Sequence, residues 1–205
     1  MSDVIIRPAD RPGDLGWMVR AHGEQYAAEF GWDQGFEASV ARIVADFGEG
    51  TPSGDQAGWI AELDGRRVGC VLCVRGADGD AQLRILLVDE HARGHGVGGA
   101  LIDTCLDFAR SAGYRRMWLW TNDVLAAARS LYLARGFRLF AEERHHSYGA
   151  DLVGQFYELD LAAAPSRRLQ ASSDRIPESS TATTASARAI RSAASPRSTR
   201  RRGST

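Results

Sequence analysis

Lysine is absent: all twenty-five basic residues are Arg. A nucleotide triphosphate loop ending in Gly-Lys-Ser or Gly-Lys-Thr is therefore excluded. Cysteine is scarce. Three thiols, Cys70, Cys73 and Cys105, cannot all pair. Cys70-Val-Leu-Cys73 falls in a strand-like run, where residues three apart point to opposite faces and cannot converge on one metal ion. Small core residues in a reducing compartment fit better, and no metal is expected. No run of eighteen apolar residues occurs, and Met1-Ser2-Asp3-Val4-Ile5-Ile6-Arg7 lacks a basic region followed by an apolar stretch. The expectation is a soluble, cytoplasmic chain with no membrane partner.

Aromatic residues are missing from Ala162 onward, where Leu169, Ile176 and Ile190 are the only large aliphatics. Such a segment cannot bury enough surface to offset its ordering entropy. Residues 1–161 are expected to fold as one domain, and residues 162–205 to form a disordered Arg/Ser/Ala/Thr-rich tail. The first part carries sixteen Arg against twenty-four acids, the second nine Arg against two. Arg197 to Arg202 could neutralise nucleic-acid phosphates, but no groove-reading motif accompanies them, so nucleic acid is not the expected partner.

What is present alternates short apolar runs with longer stretches of helical period, the pattern of an α/β domain. Val4 to Arg7 reads as a strand. Leu15, Met18, Val19, His22, Tyr26 and Phe30 lie at helical spacing, as do Phe36, Val40, Ile43, Val44 and Phe47. Trp59 to Leu63, Arg67 to Arg75 and Ala81 to Val88 read as an antiparallel meander turning at Asp64-Gly65 and Asp78-Gly79-Asp80. A helix from Val97 stops at Gly113, Met117 to Thr121 is a strand, and Leu125 to Arg135 a helix. Phe137 to Glu142 and Gln155 to Leu161 read as the last two strands.

Between the third strand of the meander and the next helix lies Asp89-Glu90-His91-Ala92-Arg93-Gly94-His95-Gly96-Val97-Gly98-Gly99. At a helix N-terminus, free N–H groups and the helix dipole attract an anion, and glycines let phosphate oxygens approach. Arg93 adds a charge-assisted partner. A dinucleotide-binding fold would place such a loop after the first strand, whereas here it follows antiparallel strands.

Arg93, Gly96 and Gly98 match the signature of the GNAT superfamily of N-acetyltransferases: Arg or Gln, two residues, Gly, one residue, then Gly or Ala. The strand Leu83 to Val88, the following helix and Ala128-Arg129-Ser130-Leu131-Tyr132-Leu133-Ala134-Arg135-Gly136-Phe137 stand in that superfamily's order, so the resemblance spans residues 3–161. Trp120-Thr121-Asn122-Asp123, His145-His146-Ser147 and Leu152-Val153-Gly154-Gln155 resemble acetyltransferase domains found fused to MarR-type regulators, although nothing before residue 81 reads as a DNA-binding module.

The resemblance implies a mixed, mostly antiparallel α/β sheet flanked by helices and splayed between the strands at 83–88 and 117–121. It implies acetyl-CoA as acyl donor, its pantetheine arm beside Leu86, Leu87 and Val88 and its pyrophosphate on Arg93, Gly94, His95, Gly96, Val97 and Gly98. Asn122 and Arg129 join the expected cofactor contacts. It also implies a primary amine acceptor, on a small molecule or a protein, and allows a homodimer. An acetyl-CoA sensor without turnover is the alternative.

Tyr132 matches the superfamily's tyrosine acid; a phenol of pKa about 10 is protonated at neutral pH and can donate to a departing thiolate. An alkyl amine arrives protonated, so a base is needed. Many relatives carry a glutamate on the strand before the loop, where this chain has Gln82 and Arg84. Glu24, His145, His146 and Asp151 are the candidates, and His146 is favoured because an imidazole suits the task.

Overall fold

The computed structural model describes residues 4–50 and 54–162. The proposed tail beyond Ala162, with its Arg197–Arg202 cluster, lies outside the described residues.

Chain order is β1 (Val4–Pro8), α1 (Asp14–Phe30), α2 (Gln34–Glu49), β2 (Ala57–Leu63), β3 (Arg66–Arg75), β4 (Ala81–Val88), α3 (Val97–Ser111), β5 (Arg116–Asn122), α4 (Ala126–Ala134), β6 (Arg138–Ser147) and β7 (Ala150–Asp160). The strands form one mixed sheet in the order β1-β2-β3-β4-β5-β7-β6, antiparallel at every pairing except β4 with β5. Both expected turns of the meander have the positive φ that right-twisted hairpins require, at Asp64 and Gly65 and at Asp78 and Gly79.

Alternation along the strands sends side chains to two cores. On one face, Val97, Leu101 and Cys105 of α3 and Tyr132 of α4 pack with Val71, Cys73, Leu83, Leu119 and Tyr157. On the other, Met18, Val40 and Val44 of α1 and α2 pack with Ile60, Cys70, Leu72 and Leu87. Cys70 and Cys73 thus stand on opposite faces, as strand parity requires, and all three thiols are buried and free.

The start of α1 is pinned to the sheet by Asp14, fully buried, which accepts hydrogen bonds from Arg7 at 2.7 and 2.9 Å and pairs with Arg67 at 2.9 Å. Arg7 holds that carboxyl below its ordinary pKa. Two turns further, His22 is buried with its Nδ1–H donated to the Met18 carbonyl at 2.8 Å, while Nε2 finds no partner among the described residues. Burial lowers the imidazole pKa from 6.5 to about 4. The unfolded chain therefore takes up a proton that the folded one refuses, so stability present above about pH 6.5 is lost as pH falls towards 4. Between about pH 7 and about pH 5 this group alone should remove about 2 kcal/mol. Urea denaturation at the two pH values checks this, and His22→Phe should lose that share of the pH dependence.

The last hairpin departs from the expected boundaries. β6 and β7 run on to Ser147 and from Ala150, so His145, His146 and Asp151 are strand residues and not part of an irregular connection. The turn is Tyr148-Gly149, with φ of 60° and 78°. Tyrosine is a poor turn former, and it is held here by its surroundings: its ring packs 5.2 Å from both Trp32 and Phe36, and its carbonyl accepts the Asp33 N–H. That contact docks the α1–α2 connection onto the hairpin tip.

Candidate active site

β4 and β5 are neighbours only at their beginnings. Ala81, Gln82 and Leu83 pair with Met117, Trp118 and Leu119, and beyond them the strands part. The cause lies in β4, where Ile85 takes a φ of 45° and the register to β3 shifts between Cys70 and Leu72. A bulge bends the strand that carries it. A β-branched residue at positive φ stores strain of order 1–3 kcal/mol and marks a place the fold holds deliberately. Past the bulge, Leu86 and Val88 turn to the α3 core and Leu87 to the α1–α2 core. The Val88 carbonyl accepts a hydrogen bond from Gln25 of α1 at 3.2 Å, leaving it one lone pair for a further partner.

The loop at the end of β4 makes one 3-10 turn, Glu90–Ala92, and then enters α3 through Gly96, whose φ of 78° no β-branched residue would tolerate. Gly96 supplies no side-chain cap. The first N–H groups of α3, on Val97, Gly98 and Gly99, consequently point out of the helix end unsatisfied by it. The loop glycines divide into two kinds. A Cβ at Gly94 or Gly96 would meet nothing within 4 Å, whereas one at Gly98 would come within 2.8 Å of Leu131 and 3.3 Å of Val88, and one at Gly99 within 2.7 Å of the Arg135 guanidinium. Packing inside the protein leaves no room for a side chain at Gly98 or Gly99.

Arg93 is half exposed and forms an ion pair with Glu29 near the end of α1. His95 is exposed, its Nδ1 3.2 Å from the Arg93 carbonyl. Arg129 within α4 and Arg135 directly after it differ. Arg129, expected at the cofactor, lines a cleft of about 470 Å³ with Asp123, Glu142 and Gln155. Arg135 reaches α3 and makes two hydrogen bonds with Asp103, at 2.6 and 2.9 Å, beside Gly99. Neither Arg135, Gln25 nor Glu29 was legible as a site residue, because nothing in sequence spacing shows which helix faces meet the loop.

Tyr132 is buried on α4 with its ring against Phe137 and Tyr157, at 5.8 and 6.3 Å. Burial pushes its phenol pKa far up, with smaller upward contributions from Tyr26 and Cys105. Tyr26 belongs to α1, whose core lies on the opposite face of the sheet.

The base candidates separate sharply. Glu24 is 66% exposed and, among the described residues, paired only with Arg20 one turn back on α1. His146 and Asp151 pair at 2.7 Å but are 69% and 94% exposed. His145, one residue from His146, turns to the other face. Its Nε2 lies 2.9 Å from Asn122 Oδ1 and its Nδ1 3.0 Å from Ser147 Oγ, with the ring 5.6 Å from Trp120. Because Asn122 Oδ1 only accepts, Nε2 carries the hydrogen and Nδ1 keeps the lone pair. Burial lowers the His145 pKa from 6.5. The structure therefore brings Asn122 and His145 together past the last β4–β5 pair, with Glu24 and His146 on exposed surface and Arg129 beside Asp123, Glu142 and Gln155.

No helix among the described residues is long and apolar enough to cross a membrane, and no cluster of three or more His, Cys, Asp or Glu among them could hold a metal ion.

Comparison with known proteins bears on the family and the fold. The sequence profile of the acetyltransferase (GNAT) family matches residues 20–137. N-acetylaspartate synthetase of Danio rerio is 37% identical over 90 residues, 43% of this chain and 32% of that protein. N-acetyltransferase 8B of Homo sapiens is 32% identical over 118 residues, 54% of this chain and 52% of that protein. The chain thus spans a third to a half of these relatives' length. Among solved structures, an N-acetyltransferase from Staphylococcus aureus Mu50 superposes with a TM-score of 0.65 at 18% identity, covering 78% of this chain and 99% of that one. A Salmonella typhimurium protein solved with its cofactor acetyl-CoA does so with 0.61 at 21% identity, over 80% and 98%. Those two likenesses concern the fold.

Proposed function

The chain belongs to the acetyltransferase (GNAT) family, and from that premise we propose that it transfers an acetyl group from acetyl-CoA to a primary amine by direct attack, through residues 1–161. One observation carries the reading: the bulge at Ile85 parts β4 from β5 directly beside an uncapped helix N-terminus. A flat thioester-bearing arm and an anionic diphosphate need those two features in that order.

Acetyl-CoA supplies the thioester and a thiolate leaving group; the chain's residues do the rest. The N–H groups of Val97, Gly98 and Gly99 and the Arg93 guanidinium hold the diphosphate, for which Arg93 turns away from Glu29. Leu86, Leu87 and Val88 flank the arm with strand backbone. Tyr132 stays protonated, since its pKa is raised, and donates its phenolic hydrogen to sulfur as negative charge develops there. Asn122 Oδ1 fixes the His145 tautomer, and His145 Nδ1 takes the proton that the amine sheds by way of the Ser147 hydroxyl, which donates to Nδ1 as it accepts from the amine. His145 replaces His146 in this role because only His145 faces the opening.

A lowered imidazole pKa keeps His145 neutral, and so basic, through the neutral range. The acid limb of kcat should accordingly lie below the ordinary histidine value. His145→Gln should remove that limb and lower kcat by about tenfold, less than the usual hundredfold for a positioned base because water can substitute. A pH–rate profile of both proteins checks it.

A second reading, an acetyl-CoA-binding sensor without turnover, is favoured by Gln82 and Arg84 standing where a strand carboxylate would serve as base. Thiol release separates the two. Free thiol that appears only when a primary amine is added supports transfer; binding of acetyl-CoA with no amine-dependent thiol supports the sensor.

A further inference from the structure

Arg84 is the charged residue of β4 that the acetyl-transfer reading leaves without work. It is partly buried on the strand next to the Ile85 bulge, in register with Leu72 and hence on the α1–α2 face of the sheet. Arg7, Arg93, Arg116 and Arg135 each hold a carboxylate. Arg84 makes no hydrogen bond or ion pair with any described residue. Asp46 of α2 and the Tyr148 phenol act on its guanidinium only through space, and burial lowers its pKa. A cation withdrawn from water without a partner is costly, and natural folds keep one only where something else supplies the anion.

The diphosphate of the donor is not that anion. Arg84 lies four residues before Val88, roughly 13 Å of strand short of the loop that leads to α3. Its surroundings belong to the acceptor side. Beyond Leu83 its strand no longer pairs with β5, so Arg84 borders the opening whose far edge, on the same face, carries Trp120 and Asn122. Tyr148 of the hairpin tip is near enough for its phenol to act on Arg84 through space, and its ring packs against Trp32 and Phe36. A planar fork of N–H donors fits a carboxylate in two parallel bonds. The nearby Asp46 charge weighs against a dianion such as a phosphate monoester.

We propose that Arg84 binds a carboxylate of the acceptor, so that the amine acetylated belongs to an amino acid type of molecule bearing both groups. This rests on the acetyl-transfer reading and names its substrate class. The Trp32, Phe36 and Tyr148 rings form the apolar wall beside that carboxylate.

Thiol release by the full chain is measured with the twenty common amino acids and with their carboxamides, each at matched pH. At least one amino acid should exceed its own amide in kcat/KM by roughly thirtyfold, chiefly through KM, since a site built for a charged group rejects the analogue lacking it. Arg84→Met should abolish that ratio by weakening the acid while leaving the amide within about twofold, and Arg84→Lys should keep part of it, a lone ammonium lacking the fork. A variant that folds poorly lowers both members of a pair alike, so the ratio decides. Amides turned over as well as acids, or a ratio unchanged in Arg84→Met, overturns the proposal. Thiol release with carboxylate-free amines alone also overturns it while keeping acetyl transfer; no amine-dependent thiol release with any acceptor overturns both.

Discussion

Tyr132→Phe should lower kcat by about 10² to 10³ while leaving the dissociation constant of acetyl-CoA within about twofold, because only the transition state places charge on sulfur for the phenol to meet. The change deletes one oxygen and keeps the ring. The ring is what packs against Phe137 and Tyr157, so the melting temperature should move little. The hydroxyl makes no hydrogen bond with another described residue, and its removal strands no partner. Pre-steady-state thiol release with saturating acetyl-CoA and amine gives the rate, and titration calorimetry gives the affinity. Unchanged turnover would reduce Tyr132 to a core residue.

Gly96→Val should cost more than a hundredfold in acetyl-CoA affinity. Two effects coincide at this position. Its φ of 78° is strained for a branched side chain, a penalty of order 1–3 kcal/mol that the loop would relieve by moving. A side chain there would also project into space that meets no protein atom within 4 Å, in front of the helix end whose N–H groups are to receive the diphosphate. Strain in a surface loop is shed locally, so the folded core should survive. Calorimetric titration with acetyl-CoA, alongside a thermal melt, reads the two effects separately. Gly98→Val differs instructively: it clashes with Leu131 and Val88 inside the protein, and overpacking of about 1–3 kcal/mol should appear in the melt.

Much of this was legible in the chain, for reasons that differ from element to element. Leu15, Met18 and Val19 mark α1 because helical period is a repeated signal, and Asp64-Gly65 marks its hairpin because few dipeptides take positive φ at both positions. Arg93 to Gly98 stood out since an anion site at a helix end depends on local backbone alone. The β6–β7 hairpin was not legible in full. Its outer residues, Glu143 to Ser147, are polar, and its turn begins with a tyrosine that owes its conformation to Trp32, Phe36 and Asp33, far off in sequence.

That boundary decides which histidine stands beside Asn122. Once β6 is known to reach Ser147 and pair His145 with Leu152, parity puts His145 beside Asn122 and turns His146 the other way. A one-residue difference in a strand is a change of face. The same holds for Arg84, whose side of the sheet follows from its register with Leu72. Arg129 and Arg135 were indistinguishable by composition; six residues apart, one within α4 and one directly after it, they meet different neighbours.

The most direct test of the cofactor site is amide chemical-shift mapping of the 15N-labelled full chain during titration with acetyl-CoA. The N–H signals of Val97, Gly98 and Gly99 should shift most, together with those of β4 from Leu86 to Val88, as free donors at the helix end acquire diphosphate oxygens. Shifts that spare α3 and gather elsewhere on the chain, or none at saturating acetyl-CoA, would show that Arg93 to Gly98 is not where the donor binds.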